Sequence, residues 1–410
     1  MATGVINSNY EKTRKYCPIT VSYEGKKEVT KILNQKHNKY KETEIVNGEN
    51  GESLFYGNNL DALLYLLNNG MRGKIQLVYI DPPFATELSF YNKDQKLAYD
   101  DMLSGGEYVE FIRERLLVIY ELLADNGSIY VHLDGKMAST IQLILNEIFG
   151  EDNCRAFITR KKCSTKNSTT KTYGNISDYI MFYSKSKNYI WNRPYKEWDY
   201  ESLVTQYPYI DEATQRRYKK VPIHAPGVRN GETGKPWRGK LPPKGKHWQY
   251  TPEKLDELDA KGEIYWSPTG NPRRKVFSDQ SQGIPIQDIW MDYRDSINQA
   301  QKTTGYPTEK NIEMLKLIVE ASSNEGDTVL DCFAGSGTTL DAAFQLGRHW
   351  IGMDNSQESI NAIKKRFTHG LEPHGDYVNK KKATQSALDF DNKCHFSIYT
   401  ADKNISTLRV

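Results

Sequence analysis

The chain has 410 residues, 38% of them hydrophobic, and a formal net charge of +3. That length allows two or three domains, or one large core with an insertion. No apolar run of about 18 residues is present, the length a membrane helix needs, and the opening MATGVINSNYEKTRKY lacks the apolar stretch of a secretory signal.

Five cysteines, at positions 17, 154, 163, 332 and 394, have no zinc-site spacing and are odd in number. Free thiols in a reducing cytoplasm are therefore expected, with no membrane association. The small net charge conceals an asymmetry. Residues 151–275 hold 25 Lys and Arg against 14 Asp and Glu, a surplus of 11 in a chain of net +3. A basic middle in an otherwise acidic chain suits a polyanionic partner, or a solvated lysine-rich insertion.

In chain order, residues 1–50 are polar with weak periodicity and are expected to form a poorly packed arm. SLFYGN (53–58) reads as a strand and NLDALLYLLNNG (59–70) as a helix closed by glycine. IQLVYI (75–80) is a continuous apolar strand of the kind buried in a parallel sheet. A helix over 107–127, the strand SIYVHL (128–133) and a helix over 136–150 follow. From 155 to 300 the rhythm breaks into aromatic, basic, Gly- and Pro-rich sequence, with strand-like material in NISDYIMFYSKSKNYIW (175–191). The rhythm then resumes: helix 308–323, strand DTVLDCF (327–333), helix 337–347, strand HWIGMD (349–354) and helix 356–367. The tail, 371–410, is weakly patterned. Two α/β halves around an irregular insertion predict one doubly wound sheet, whose ligands sit at the carboxyl ends of its strands.

Two loops lie there. In the first, DTVLDCF runs into Ala334, Gly335, Ser336, Gly337, Thr338 and Thr339. Glycines at such a turn let a ligand approach the backbone. Thr338 stands where a phosphate-binding P-loop needs lysine. Asp354, about 20 residues on at the end of the next strand, can accept both hydroxyls of a ribose. Asp331 ends its own strand. A nucleoside-bearing cofactor with little or no phosphate fits, and S-adenosylmethionine is one.

The second loop is Asp81, Pro82, Pro83, Phe84. The prolines stiffen the turn and donate no N–H, so the carboxylate and carbonyls form a rigid cluster of acceptors beside a planar ring. An exocyclic amino group on a flat heterocycle would satisfy both: its two hydrogens meet Asp81 and the Pro82 carbonyl, and Phe84 stacks on the ring. Holding those hydrogens frees the nitrogen lone pair for attack on a sulfonium methyl group.

Together DPPF and FAGSGTT resemble the amino-group DNA methyltransferases. The likeness is to the permuted group, with the catalytic motif first, the DNA-reading insertion next and the cofactor motif last. It runs from about residue 53 to 368 and includes VYIDPPF, GSIYVHLDGK, SDYIMFYSK, GKHWQY, DIWMDY, GYPTEKNIEML and VLDCFAGSGTT. It implies a Rossmann-like α/β methyltransferase sheet, circularly permuted, with an inserted irregular α+β DNA-recognition domain. The implied divisions are an arm (1–50), a catalytic half (51–154), a target-recognition region (155–300), a cofactor half (301–370) and a tail (371–410).

By the same resemblance Asp81, Pro82 and Pro83 hold the target amine and Phe84 stacks on the flipped base. Asp331, Phe333, Ala334, Gly335, Ser336, Gly337, Thr338 and Asp354 hold the cofactor, and Thr308 and Lys310 lie near its methionine end. Aspartate at position 81 resembles the adenine-N6 members; cytosine N4 is the alternative, and RNA a further one. Three departures stand out. Cys332 replaces a usual proline, Asn311 another, which predicts a looser turn, and Asn58 a frequent aspartate. In the insertion, Tyr189, Trp191, Tyr195 and Trp198 interleave with Arg216, Arg217, Lys219 and Lys220, which suits double-stranded DNA, although most such rings are expected to build a small core. The resemblance leaves room for a restriction-nuclease partner and a homodimer. His132, in HLD, has no second ligand set at metal spacing and reads as a sheet-end residue.

Overall fold

The computed structural model describes residues 20–48, 51–83, 105–164, 171–295, 302–304, 306, 309–373 and 393–402. The chain divides into two compact units: Met1–Arg193 with Gln287–Val410, and Pro194–Ile286.

The larger unit is a ten-stranded sheet among the described residues. In chain order its strands are β1 (Tyr40–Val46), β2 (Glu52–Tyr56), β3 (Ile75–Ile80), β4 (Leu123–Leu133), β5 (Cys154–Lys161), β6 (Ser177–Ser184), β7 (Ile289–Trp290), β8 (Thr328–Asp331), β9 (His349–Asp354) and β10 (Phe396–Ala401). The spatial order is β1-β10-β2-β9-β8-β3-β4-β6-β5-β7. The run from β10 to β4 is parallel. Strands β1 and β6 join antiparallel, and β5 pairs antiparallel with β6. Helices α1 (Val29–Leu33), α2 (Asn59–Leu66), α3 (Gly106–Leu122), α4 (Ala138–Phe149), α5 (Ile312–Ser322), α6 (Thr338–Gln345) and α7 (Gln357–His369) complete the unit.

Central strands are apolar on both faces, as IQLVYI requires: Ile75, Leu77, Val78 and Ile80 are all fully buried. Helix α3 ends at Leu122, earlier than the apolar spacing suggests. Leu123 turns extended there and pairs with Ile75 at the start of β3, so burial in the sheet takes over from helix propensity. Residues 20–48 depart from the expected poorly packed arm. Ile32 and Leu33 are in the core, and β1 pairs along its length with β10. Its pattern, buried only at the two ends, is that of a polar edge strand. Part of the tail likewise enters the sheet, because β10 lies between β1 and β2.

The rhythm breaks at 155 while the sheet does not. Strands β5 and β6 form an antiparallel pair with no intervening helix among the described residues, so the alternation stops and the layer continues. The second unit therefore begins at 194 and not at 155. It holds a four-stranded antiparallel sheet in the order Ile264–Trp266, Pro272–Phe277, Arg217–Val221, Tyr209–Ile210, and a helix, Pro252–Ala260. Its core is Ile223, Trp237, Trp248, Leu255, Leu258 and Ile264, and Trp237 donates through Nε1 to Asp256. The basic strand contributes cation–π contacts, with Lys220 Nζ 3.6 Å from the Tyr209 ring centre and 3.5 Å from that of Tyr265. Among the described residues no helix is long and apolar enough to cross a membrane.

Candidate active site at the carboxyl edge of the sheet

Strands β8 and β9 are adjacent and parallel, so the loops after Asp331 and Asp354 emerge side by side. Gly335 and Gly337 have φ of +51° and +77°. At Gly337 a Cβ would stand 2.8 Å from Ile363 Cγ1, so both the conformation and the space demand glycine. Asp354 is buried and organises the turn: Oδ2 accepts from Gly335 N and Oδ1 from Ser356 N, both at 2.9 Å. Burial raises its carboxyl above the usual range against these hydrogen bonds. Asp331 accepts from Phe333 N at 3.0 Å. Full burial pushes its carboxyl up to about 7, despite hydrogen bonds from Thr339 and that amide.

Beside the loop lies a cleft of about 360 Å³, open solvent included, lined by Asn58, Asn59, Phe111, Arg115, Cys332, Phe333, Asp354 and Asn355. Arg115 stacks its guanidinium 3.5 Å from the centre of the Phe111 ring and donates to Asn59 Oδ1 at 2.7 Å.

Asp81 follows β3, which pairs with β8, so both loops share the sheet's carboxyl edge. Its Oδ2 is 2.7 Å from Lys310 Nζ. Its Oδ1 is buried, and no hydrogen-bond donor among the described residues reaches it. Pro82, next in the chain, is buried. One carboxylate oxygen is thus held by a cation, and the other is an acceptor that no donor among the described residues reaches.

The DNA methylase family model matches residues 75–365. The chain is 47% identical over 397 residues to the type II methyltransferase M.EcaI of Enterobacter cloacae, covering 94% of this chain and 86% of that protein. The chain belongs to the DNA methylase family. It is also 28% identical over 374 residues to the type III restriction-modification enzyme StyLTI Mod subunit of Salmonella typhimurium, with 78% of this chain matched to 54% of that longer protein. The solved structure of an M1.HpyAVI–SAM complex aligns with 77% of the chain and 99% of its own, at 17% identity and a TM-score of 0.40. The methylase's mixed α/β sheet, parallel from β10 to β4, is Rossmann-like.

Of the residues singled out from the methylase sequence, Asp81, Pro82, Pro83, Asp331, Phe333, Ala334, Gly335, Ser336, Gly337, Thr338, Asp354 and Lys310 lie at this edge; Phe84 and Thr308 fall outside the described residues. Phe333 and Asp354 line the cleft. The hydroxyls of Ser336 and Thr338 bond to each other at 2.9 Å. Lys310, expected near the cofactor's methionine end, takes a carboxylate partner within the protein, Asp81. The two asparagine departures are both helix caps. Asn58 accepts from the N–H groups of Leu60 and Asp61 at the start of α2. Asn311 accepts from those of Glu313 and Met314 at the start of α5 and donates to the Arg294 carbonyl at 3.0 Å. The turn at Asn311 is therefore pinned, contrary to the looser one expected.

Two buried ionic groups were not legible as site residues. Arg366 donates through Nε to the Ser336 carbonyl at 2.8 Å and pairs with Asp341 at 2.9 Å and Glu309 at 2.6 Å. It ties the glycine loop to the residue before Lys310. Behind Asp81, His132 is fully buried beside Tyr79, Asp178 and Arg160.

Proposed function

We propose that the chain transfers a methyl group from S-adenosylmethionine to N6 of an adenine flipped out of duplex DNA, at a short specific sequence. The observation that carries this is Asp81 Oδ1, a buried acceptor with no donor among the described residues, on a loop whose prolines donate no N–H. An amino N–H is the group that would complete it. Pro82 offers its carbonyl to the second hydrogen, and Phe84 is assigned to stack on the base. Two acceptors on one amine favour a pyramidal nitrogen with its lone pair free.

The cofactor assignment rests on chemistry the residues fit: a cradle that only glycine at 337 allows, an acidic residue at the next strand end, and the Phe333 ring in the cleft beside Asp354. The sulfonium supplies an electrophilic methyl group; the chain supplies position. Asp354 is assigned to the ribose, and Lys310 and Thr308 to the methionine end. Adenine over cytosine follows from aspartate at position 81, and the motif order is that of the permuted group. The basic residues within 155–300, with the Pro194–Ile286 unit at their centre, are assigned to reading the target. One relative is the Mod subunit of a type III restriction-modification enzyme, which supports a cytoplasmic role beside a nuclease; a modification subunit dependent on that partner is the second reading.

Replacing Asp81 by Ala tests the assignment. Methyl transfer should be lost while the dissociation constant for S-adenosylhomocysteine is retained. Loss of cofactor binding in a folded variant would mean that Asp81 serves the other ligand. Asp354→Ala should weaken cofactor binding by about 1–3 kcal/mol, the cost of unpaired buried polar partners; unchanged affinity would remove the ribose assignment.

A further inference from the structure

Four adjacent strands each place one polar side chain in a row behind Asp81. Tyr79 is on β3, His132 on β4, Asp178 on β6 and Arg160 on β5, and none exposes more than 2% of its surface. The Tyr79 hydroxyl lies 2.7 Å from His132 Nδ1. Asp178 Oδ2 lies 3.0 Å from His132 Nε2, an ion-pair distance without hydrogen-bond alignment. Asp178 pairs with Arg160 at 2.9 Å, and Arg160 with Asp295 and the Tyr293 carbonyl. Burial raises the Asp178 carboxyl, but His132 and Arg160 outweigh it and hold it well below the usual range. On the other side of the imidazole, Asp81 Oδ1 is 3.8 Å from Nδ1.

Apolar packing would stabilise this position at least as well as a buried ionic row, whose desolvation cost rivals its attraction. The arrangement has the form of a carboxylate orienting an imidazole towards a second group. Asp178 beside Nε2 favours the proton on that nitrogen and leaves Nδ1 as the basic one, turned to Tyr79 and Asp81. Asp81, Asp178 and Asp295 are three carboxylates against two cations, Lys310 and Arg160. The cluster is thus one positive charge short of neutrality before His132 takes a proton.

We propose that His132, oriented by Asp178, is the terminal acceptor of the proton released by the target amine. The inference rests on the methyltransfer reading above. When the amine nitrogen forms its new C–N bond, the C–S bond breaks and its electron pair stays on sulfur as a neutral thioether. The nitrogen is left cationic and loses one proton to Asp81 Oδ1. Lys310 holds the other oxygen, Oδ2, so Oδ1 is free to close the gap to Nδ1 by a small side-chain rotation. The proton passes to Nδ1, the nitrogen that faces Oδ1 across 3.8 Å. Imidazolium then sits between two carboxylates until it returns the proton to solvent. His132 is on this account a positioning residue for protons, acting through Asp81.

The test is a single-turnover measurement from pH 5.5 to 8 with saturating methyl-tritiated S-adenosylmethionine and genomic DNA from a host lacking the modification. Wild-type enzyme should speed up as pH rises across this range. His132→Gln and His132→Asn, which keep hydrogen-bonding shape but take no proton, should lose about 100-fold in rate or more and lose the acid limb. Their dissociation constants for S-adenosylhomocysteine and for DNA should stay within about twofold. Variants within about threefold of wild type, with the limb intact, overturn the role. If neither variant folds, a wild-type rate flat from pH 5.5 to 8 overturns it equally. Wild-type enzyme that transfers no methyl group to DNA overturns the underlying reading; active wild type with unaffected variants overturns the His132 role alone.

Discussion

Replacing Gly337 by Ala gives a sharp test of how the glycine loop is held. The new Cβ stands 2.8 Å from Ile363 Cγ1 and 3.6 Å from Ile363 Cβ, and the backbone there has φ of +77°. A left-handed residue with a Cβ costs about 1–2 kcal/mol, and overpacking a tight contact about 1–3 kcal/mol more. The single variant should therefore lose about 2–5 kcal/mol in urea unfolding followed by far-ultraviolet circular dichroism, with the denaturant slope unchanged. Ile363→Ala removes the clashing atoms and leaves the strain. In that background Gly337→Ala should cost only the conformational part, so the double-mutant cycle should show an interaction energy of about 1–3 kcal/mol. A cost below about 0.5 kcal/mol in the wild-type background would refute the reasoning. An equal cost in both backgrounds would refute the part assigned to Ile363.

Asp331, with its carboxyl near 7 in the folded chain, makes stability depend on pH. A raised carboxyl contributes stability that is fully present below its unfolded value, near 4, and lost as pH rises through 7. Asp331→Asn should flatten that dependence, shifting the stability difference in the variant's favour by up to roughly 4 kcal/mol between pH 4 and 8; parallel curves would contradict the assignment. Arg366→Met leaves Glu309 and Asp341 buried without their cation and should destabilise by about 3–5 kcal/mol, with weaker S-adenosylhomocysteine binding by calorimetry. Asn311→Ala removes a helix cap and should cost about 1 kcal/mol in thermal or urea unfolding.

Much of this architecture is written in local pattern. IQLVYI and HWIGMD have the observed bounds of β3 and β9, because strands buried on both faces must be continuously apolar. The two loops are legible because glycines and prolines constrain the backbone whatever surrounds them. The rest depends on partners distant in sequence. Strand β1 carries a lysine and two glutamates and becomes a strand by pairing with β10, 350 residues or more away. Leu123 leaves its helix because β3 lies beside it. His132, Arg160 and Asp178 are unremarkable singly; the antiparallel register of β5 and β6, with Arg160 opposite Asp178, brings them together. Arg366 looks like one cation among several in KKRF, and its burial between Glu309 and Asp341 is set by tertiary packing. Asn311 could have been recognised as a cap, since asparagine before an apolar helical run is a start signal.

The central claim is that this chain methylates an adenine amino group in duplex DNA. The most direct measurement incubates the purified chain with unmodified genomic DNA and S-adenosylmethionine carrying a trideuterated methyl group, digests the DNA to nucleosides, and identifies the labelled one by mass spectrometry. Label in N6-methyldeoxyadenosine, absent when Asp81 is replaced by Ala, is the predicted result. Label in N4-methyldeoxycytidine, or none in DNA with a folded, cofactor-binding chain, would contradict the claim.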